Sequence, residues 1–196
     1  MEYFNLNSNK GNLIKGPLII KPKIFPDNRG YFCESWNHSE FNKLVSREVH
    51  FLQDNHSESK FGVLRGLHYQ LGPKAQAKLV RCTIGEVFDV LVDIRKDSNT
   101  FGEWSSIILN PQNKLQFWIP EGFAHGFLSL KDLSEVQYKT NEYWDKNHER
   151  LLFWKDSDIN INWPLANNNG KCKIITNYKD SIAPSLREIE KSGDLF

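Results

Sequence analysis

Short segments in which apolar and polar side chains alternate recur about every ten residues along this chain, with Gly, Pro, Asn and Asp between them. No other feature limits the possible folds as much. Residues 87–95 carry Phe88, Val90, Val92 and Ile94 at even positions and Asp89, Asp93 and Arg95 at odd ones, with Val87 and Leu91 breaking the pattern. That period of two predicts a half-buried strand. Residues 78–84 place Val80, Cys82 and Ile84 on one face and Leu79, Arg81 and Thr83 on the other, with Gly85-Glu86 as a turn into the next strand. Further strands are predicted over residues 18–23, 30–35, 49–55, 63–69, 105–109, 114–119, 124–130, 134–140 and 150–154. The spacing predicts an all-β antiparallel sandwich or barrel. The 13 Phe, 6 Trp and 6 Tyr fit a β-rich core. Helical signals are short and predict peripheral helices. Ser39 stands before Phe41, Leu44 and Val45 as an N-cap, and Ser185 to Glu188 has capping-box spacing. With no repeat or linker, the chain reads as one domain over residues 1–196, of which about 166–196 form a loop, centred on Asn167-Asn168-Asn169-Gly170, and a C-terminal extension.

Composition narrows the function. With 25 Lys+Arg against 24 Asp+Glu, the chain offers no global electrostatic case for nucleic acid or an anionic membrane, although a local site for one or two phosphates is compatible with it. No apolar stretch has the length of a membrane span. Residues 1–10 lack the apolar core of a signal peptide, so the cytoplasm is the expected compartment. Cys33, Cys82 and Cys172 are odd in number and widely spaced, which argues for free thiols rather than a disulfide framework or a cysteine zinc site. Neither a phosphate-binding glycine loop nor a G-x-S-x-G elbow is present. Any bound nucleotide must therefore be held by individual side chains.

Six histidines occur, at 38, 50, 56, 68, 125 and 148. His68 lies in a strand-like run interrupted by Gly66. His125 follows a Pro120-Glu121-Gly122 turn onto the next strand, like the second signature of cupin barrels. Metal-holding cupins supply H-x-H in the first signature, whereas the position two after His68 is Gln70, which argues against a metal. For any one histidine, surface or satisfied-core placement is the commoner outcome. Alternation puts Lys78 on the face of Val80 and Tyr138 on that of Val136. Pattern alone favours a lysine that snorkels to water and a core tyrosine with a satisfied hydroxyl. Were a His, a Lys and a Tyr to converge in one barrel, they would supply a base, an oxyanion partner and an acid for proton abstraction beside a carbonyl. Gln53 and Asn55 share a strand face, suited to a base or sugar edge or simply to water. Arg65 and His68 face oppositely on a regular strand, so joint contact with one ligand requires a bulge at Gly66.

An ordered set of runs resembles the dTDP-4-dehydrorhamnose 3,5-epimerase family over most of the chain. The runs are Phe25-Pro26-Asp27-Asn28-Arg29-Gly30-Tyr31-Phe32-Cys33-Glu34-Ser35, Gln53-Asp54-Asn55-His56-Ser57, Leu64-Arg65-Gly66-Leu67-His68-Tyr69-Gln70 and Lys78-Leu79-Val80-Arg81-Cys82. Gly85-Glu86-Val87-Phe88-Asp89-Val90, Trp118 through Phe127, Tyr138-Lys139-Thr140-Asn141 and Trp163-Pro164 follow in order. The resemblance implies a cupin-type jelly-roll barrel, a homodimer, and a reaction with no metal and no dissociable cofactor. The implied substrate is dTDP-4-dehydro-6-deoxy-D-glucose, inverted at C3 and C5 to dTDP-4-dehydro-L-rhamnose. Both centres flank the C4 ketone, so deprotonation gives an enolate and reprotonation on the other face inverts. By motif, His68 matches the general base, Tyr138 the opposing acid, Lys78 the stabiliser of the enolate oxygen, and Asp180 the carboxylate paired with the base. The implied substrate-binding positions are Arg29, Glu34, Gln53, Asn55, Arg65, His125, Glu149 and Lys179. Tyr143 matches a thymine-stacking ring, with Phe25 and Phe32 as neighbours. The chain departs from the family pattern around residues 167–175. The alternatives are a single-centre epimerase on a related sugar nucleotide, a non-catalytic sugar-nucleotide-binding cupin, and a metal-dependent cupin oxygenase, the last opposed by Gln70.

Overall fold

The structure is a computed structural model describing residues 1–167, 170, 171 and 173–196. Two antiparallel sheets face one another. The first has the order β1 (Glu2–Asn7), β2 (Leu13–Lys21), β10 (Gln116–Ile119), β7 (Lys78–Ile84), β12 (Ser134–Thr140) and β5 (Gln53–Ser59). The second has the order β13 (Glu149–Leu151), β6 (Leu64–Gln70), β11 (Phe123–Ser129), β8 (Val87–Asp93) and β9 (Trp104–Leu109). A hairpin of β3 (Ile24–Asp27) and β4 (Gly30–Cys33) stands apart from both, as does the pair β14 (Ala166–Asn167) and β15 (Gly170–Lys171). The helices are short: α1 (His38–Val45), α2 (Tyr178–Ser181) and α3 (Leu186–Ser192). This is the all-β, cupin-type jelly roll with peripheral helices expected above.

Three apolar clusters hold the layers. Between the sheets lie Leu6, Ile14, Val80, Cys82, Val87, Leu91, Leu109, Phe117, Ile119, Phe123, Phe127 and Val136. On the outer face of the first sheet, Phe41 and Val49 cover Leu18, Ile20, Leu79 and Trp118. On the outer face of the second, Ile159, Ile161, Trp163, Leu186 and Ile189 cover Leu64, Leu67, Tyr69, Val90, Val92, Ala124 and Leu128. The sheets are thus buried on both faces, which corrects the half-buried reading of residues 87–95. Val90 and Val92 pack outward under the C-terminal segment, while Val87 and Leu91 point between the sheets and take Asp89 with them. Asp89 and Asp93 are fully buried rather than solvated.

Other expectations shift at their edges. Strand 49–55 becomes β5, Gln53–Ser59, because Val49 serves the outer cluster. Strand 18–23 lengthens to Leu13–Lys21 and 150–154 shortens to Glu149–Leu151. β1 and β3 were not expected: β1 is a largely exposed edge, and β3 contains Pro26. Ile84 lies exposed at the end of β7 rather than inward. The cap of α1 is Asn37, not Ser39; its side chain accepts from Glu40 N–H, and Asn serves there as well as Ser. The capping box of Ser185 and Glu188 is present. Residues 166–196 are more than an extension, since α2 and α3 lie there and Leu186 and Ile189 enter the core. Cys82 is a buried free thiol and Cys33 a half-buried one; Cys172, with Asn168 and Asn169 of the expected loop, lies outside the described residues.

Candidate active site

A cleft of about 320 Å³ opens between the sheets, lined by Gln53, Asn55, His68, Tyr69, Gln70, Gln76, Lys78, Tyr138, Trp144 and Glu149. Strand geometry explains how these residues meet. On β5, residues 53 and 55 share the inward face, and Gln53 Nε2 donates to Asn55 Oδ1 at 2.8 Å. Tyr138 on β12 pairs in register with Asn55 on one side and Val80 on the other, so it continues the inward face of Val136. Lys78 opens β7 on the face of Val80.

β6 reaches the cleft through a bulge. Its register to β11 pairs His125 with His68 but Phe127 with Arg65, so an extra residue sits on β6 around Gly66 and Leu67. Because His125 and Phe127 share a face, Arg65 and His68 do too. Gly66 has φ +116°, and a Cβ there would lie 2.6 Å from Gly126 Cα and 2.7 Å from the His125 carbonyl oxygen. Glycine is needed both for the backbone angle and for the close approach of two strands. Arg65 is exposed beside the cleft and donates to Ser59 Oγ and the Glu58 carbonyl.

His68 is the half-buried member of a close pair. One of its ring nitrogens lies 2.6 Å from Asp180 Oδ1, and Asp180 Oδ2 accepts from Gly66 N–H at 3.2 Å. Asp180 is fully buried in the one-turn helix α2, which Asn177 caps by accepting from Asp180 N–H. An aspartate at one imidazole nitrogen holds the ring, fixes the tautomer and leaves the other nitrogen with a lone pair.

The cations and the phenol complete the site. Lys78 is only 8% exposed and donates to the His68 carbonyl oxygen at 3.1 Å. Burial lowers its pKa to about 8, against the opposing pull of Asp89 and Glu149. At neutral pH it therefore remains an ammonium, but a destabilised one. Burial raises the pKa of Tyr138, opposed by the charge of Arg65, so the phenol keeps its proton and is a donor. His125 is buried and is not among the residues that line the cleft. Its Nε2 is 2.8 Å from Asp89 Oδ1, and burial lowers its pKa against the opposing pull of Asp89. Asp89 Oδ2 has no hydrogen-bond partner among the described residues.

The rim holds Glu149, which accepts from Trp144 Nε1 at 3.0 Å and lies 3.5 Å from Lys179 Nζ. Tyr143 is exposed next to the rim, while the neighbouring Trp144 lines the cleft. Trp144, Gln76 and Asp89 were not singled out from the sequence. Trp144 and Gln76 lie outside the strands, where no periodicity marks them. Asp89 carried a usable signal as a charge between Val87 and Leu91. The hairpin residues Phe25, Arg29, Phe32 and Glu34 do not reach this cleft. They are exposed, Arg29 pairs with Asp27 at 2.6 Å, and the neighbouring Tyr31 and Cys33 line a recess with Arg81 and Thr83 of β7. A second cavity, of about 280 Å³, includes Trp36, Leu79, Arg81, Gln137 and Lys139 but none of His68, Lys78 or Asp180.

A sequence profile described as dTDP-4-dehydrorhamnose 3,5-epimerase matches residues 12–188. The chain is 59% identical over 150 residues to the dTDP-4-dehydrorhamnose 3,5-epimerase of Shigella flexneri, covering 76% of this chain and 83% of that one. A Legionella pneumophila dTDP-6-deoxy-D-glucose-3,5-epimerase, solved in complex with dTDP-4-keto-L-rhamnose, superposes with a TM-score of 0.88 at 41% identity over 99% of this chain and 97% of that one. A Mycobacterium tuberculosis epimerase gives 0.92 at 36% identity over 100% and 93%.

Proposed function

Because the chain belongs to the dTDP-4-dehydrorhamnose 3,5-epimerase family, we propose that its cleft carries out that isomerisation: inversion at C3 and C5 of dTDP-4-dehydro-6-deoxy-D-glucose to give dTDP-4-dehydro-L-rhamnose. The observation that carries this reading is the convergence of an aspartate-held histidine, a buried lysine and a protonated tyrosine on one cleft.

In this reading His68 takes the proton from the carbon next to the C4 ketone through the ring nitrogen that Asp180 does not occupy. The electron pair moves to O4, and the Lys78 ammonium lowers the energy of the enolate. Asp180 supports the imidazolium that forms. Tyr138 delivers a proton to the other face, and the enolate collapses to the inverted ketone. His68 then releases its proton to solvent and Tyr138 takes one back, and repetition at the second carbon completes the reaction. Gln53, Asn55, Glu149, Lys179 and Trp144 are placed to hold the sugar nucleotide, with Tyr143 at the rim and Arg65 beside Tyr138. His125, held by Asp89, is assigned to the substrate-binding set by the family motif alone.

The hairpin suggests how Phe25, Arg29, Phe32 and Glu34 contribute. Phe25, Tyr31 and Phe32 are exposed on an element that contributes no residue to the lining of its own cleft. A homodimer that places one copy's hairpin at the other copy's cleft would cover those rings and bring Arg29 to the diphosphate, which its forked guanidinium suits. Sedimentation showing only the 22.9 kDa species at micromolar concentration would remove this arrangement. The free thiols of Cys33 and Cys82 support a reducing, cytoplasmic setting. No helix among the described residues is long and apolar enough to cross a membrane.

Incubation with dTDP-4-dehydro-6-deoxy-D-glucose in deuterated water tests the reaction. Double inversion introduces two deuterons into the product. One deuteron would mean a single-centre epimerase, and none a different function.

A further inference from the structure

His38, Glu48 and His50, none of which lines the cleft, converge on the surface. Each offers one donor atom, and the three donors lie within 4.8 Å of one another. Local structure explains the convergence. Val49 is buried and Phe51 packs against the same outer cluster, so Glu48 and His50, which alternate with them, point away from it together. His38 is the first residue of α1. Asn42, one turn further on, joins the two segments: its Oδ1 accepts from Val49 N–H at 3.1 Å, and its Nδ2 lies 3.2 Å from His38 Nε2. The imidazole rings of His38 and His50 have centroids 5.0 Å apart, and His50 Nε2 lies 2.8 Å from Glu48 Oε1. Trp36 meets the His38 ring edge-on.

We propose that His38, Glu48 and His50 form a site for a divalent transition metal of the zinc class, separate from the reaction cleft. Two imidazoles and a carboxylate are ligands that Zn²⁺ accepts, whereas Mg²⁺ and Ca²⁺ call for more oxygen donors. In a tetrahedral site with bonds of roughly 2.0–2.1 Å, donors stand about 3.3 Å apart. His50 Nε2 and Glu48 Oε1 stand 2.8 Å apart and all three donors lie within 4.8 Å, so small rotations of these surface side chains reach that spacing. Water would take the fourth position. Asn42 ties α1, which bears His38, to the segment that bears the other two through the bond its Oδ1 accepts from Val49 N–H, and its Nδ2 contact with His38 Nε2 gives way when that ring turns to the ion. The bound ion would clamp α1 to residues 46–52, which lead directly into β5. Other surface histidines, His56 with Glu135 and His148 with Asp145, form two-donor pairs only, among the described residues.

The test is titration of the metal-free protein with Zn²⁺ by calorimetry, with Co²⁺ absorption reporting coordination and thermal unfolding reporting stabilisation. One ion per chain should bind and raise the melting temperature. His50→Ala and His38→Gln should each weaken binding at least tenfold and abolish the shift, while His56→Ala should leave both intact. Turnover should be the same in all three variants. Equal binding by His50→Ala and wild type, inhibition of turnover by stoichiometric zinc, or no binding at 100-fold excess would each overturn the assignment.

Discussion

Replacing Lys78 with methionine should make the protein more stable and nearly inactive. The folded state lowers the lysine pKa from 10.5 to about 8, a shift of about 2.5 units, or about 3 kcal/mol against the charged form. Below pH 8 the folded protein bears this cost in full. Between pH 8 and 10.5 the unfolded chain holds the proton that the folded chain has released, so the wild type gains stability as pH rises. Lys78→Met removes the charge but also the donor to the His68 carbonyl, a loss of about 1 kcal/mol. At pH 7 the variant should therefore be about 2 kcal/mol more stable than wild type. Its advantage should vanish as pH approaches 10.5. Turnover should fall by a factor of about 10²–10³, the usual cost of losing one preorganised donor to a developing oxyanion. In the wild type, kcat/KM should fall above about pH 8 as Lys78 gives up its proton. Urea unfolding at pH 7 and pH 10, beside a coupled reductase assay, measures both effects. A variant less stable than wild type at pH 7, or a stability difference independent of pH, would refute the reasoning. Normal kcat with raised KM would make Lys78 a binding contact instead.

Three further outcomes are expected. Gly66→Ala forces a Cβ against Gly126 at a left-handed backbone angle and should cost about 2–5 kcal/mol by urea unfolding; a change under about 0.5 kcal/mol would remove the bulge from the account. Asp180→Asn keeps the shape but cannot support the imidazolium, so kcat should drop on the order of 10²–10⁴ with KM little changed; wild-type turnover would release Asp180 from its role. Exhaustive chelation should leave turnover unchanged, since the roles proposed for His68, Asp180 and Lys78 call for no metal; activity lost with EDTA and restored by a divalent ion would contradict this.

Much of the site could be read from the chain because strand alternation is a local property. Lys78, Tyr138, Gln53 and Asn55 share inward faces by counting in twos, and the bulge at Gly66 follows from asking how Arg65 and His68 reach one side. What alternation could not show was the cover on the outer face of the second sheet. Ile159, Ile161, Trp163, Leu186 and Ile189 are scattered through loops and one short helix, so no period marks them as core. Without that cover, residues 87–95 look half exposed, and Asp89 looks solvated rather than placed against His125. The partner of His68 was equally hidden. Asp180 comes from a one-turn helix 112 positions away, and only the family resemblance singled it out. The hairpin residues matched the family motif, yet this chain's own fold keeps them from its cleft. Trp144 gave no signal because it follows β12 in an irregular segment, next to the more conspicuous Tyr143.

In the proposed reaction His68 and Tyr138 serve opposite faces of the same enolate. Tyr138→Phe removes one hydroxyl and leaves the base, its aspartate and Lys78 in place. The variant should still deprotonate the sugar, and the enolate should recapture a solvent-derived deuteron from His68 on the original face. The direct measurement is the rate of deuteration of recovered substrate set against the rate of inverted product, in deuterated water with the coupled reductase. Exchange outrunning inversion is the predicted result, and inversion at the wild-type rate would contradict the account.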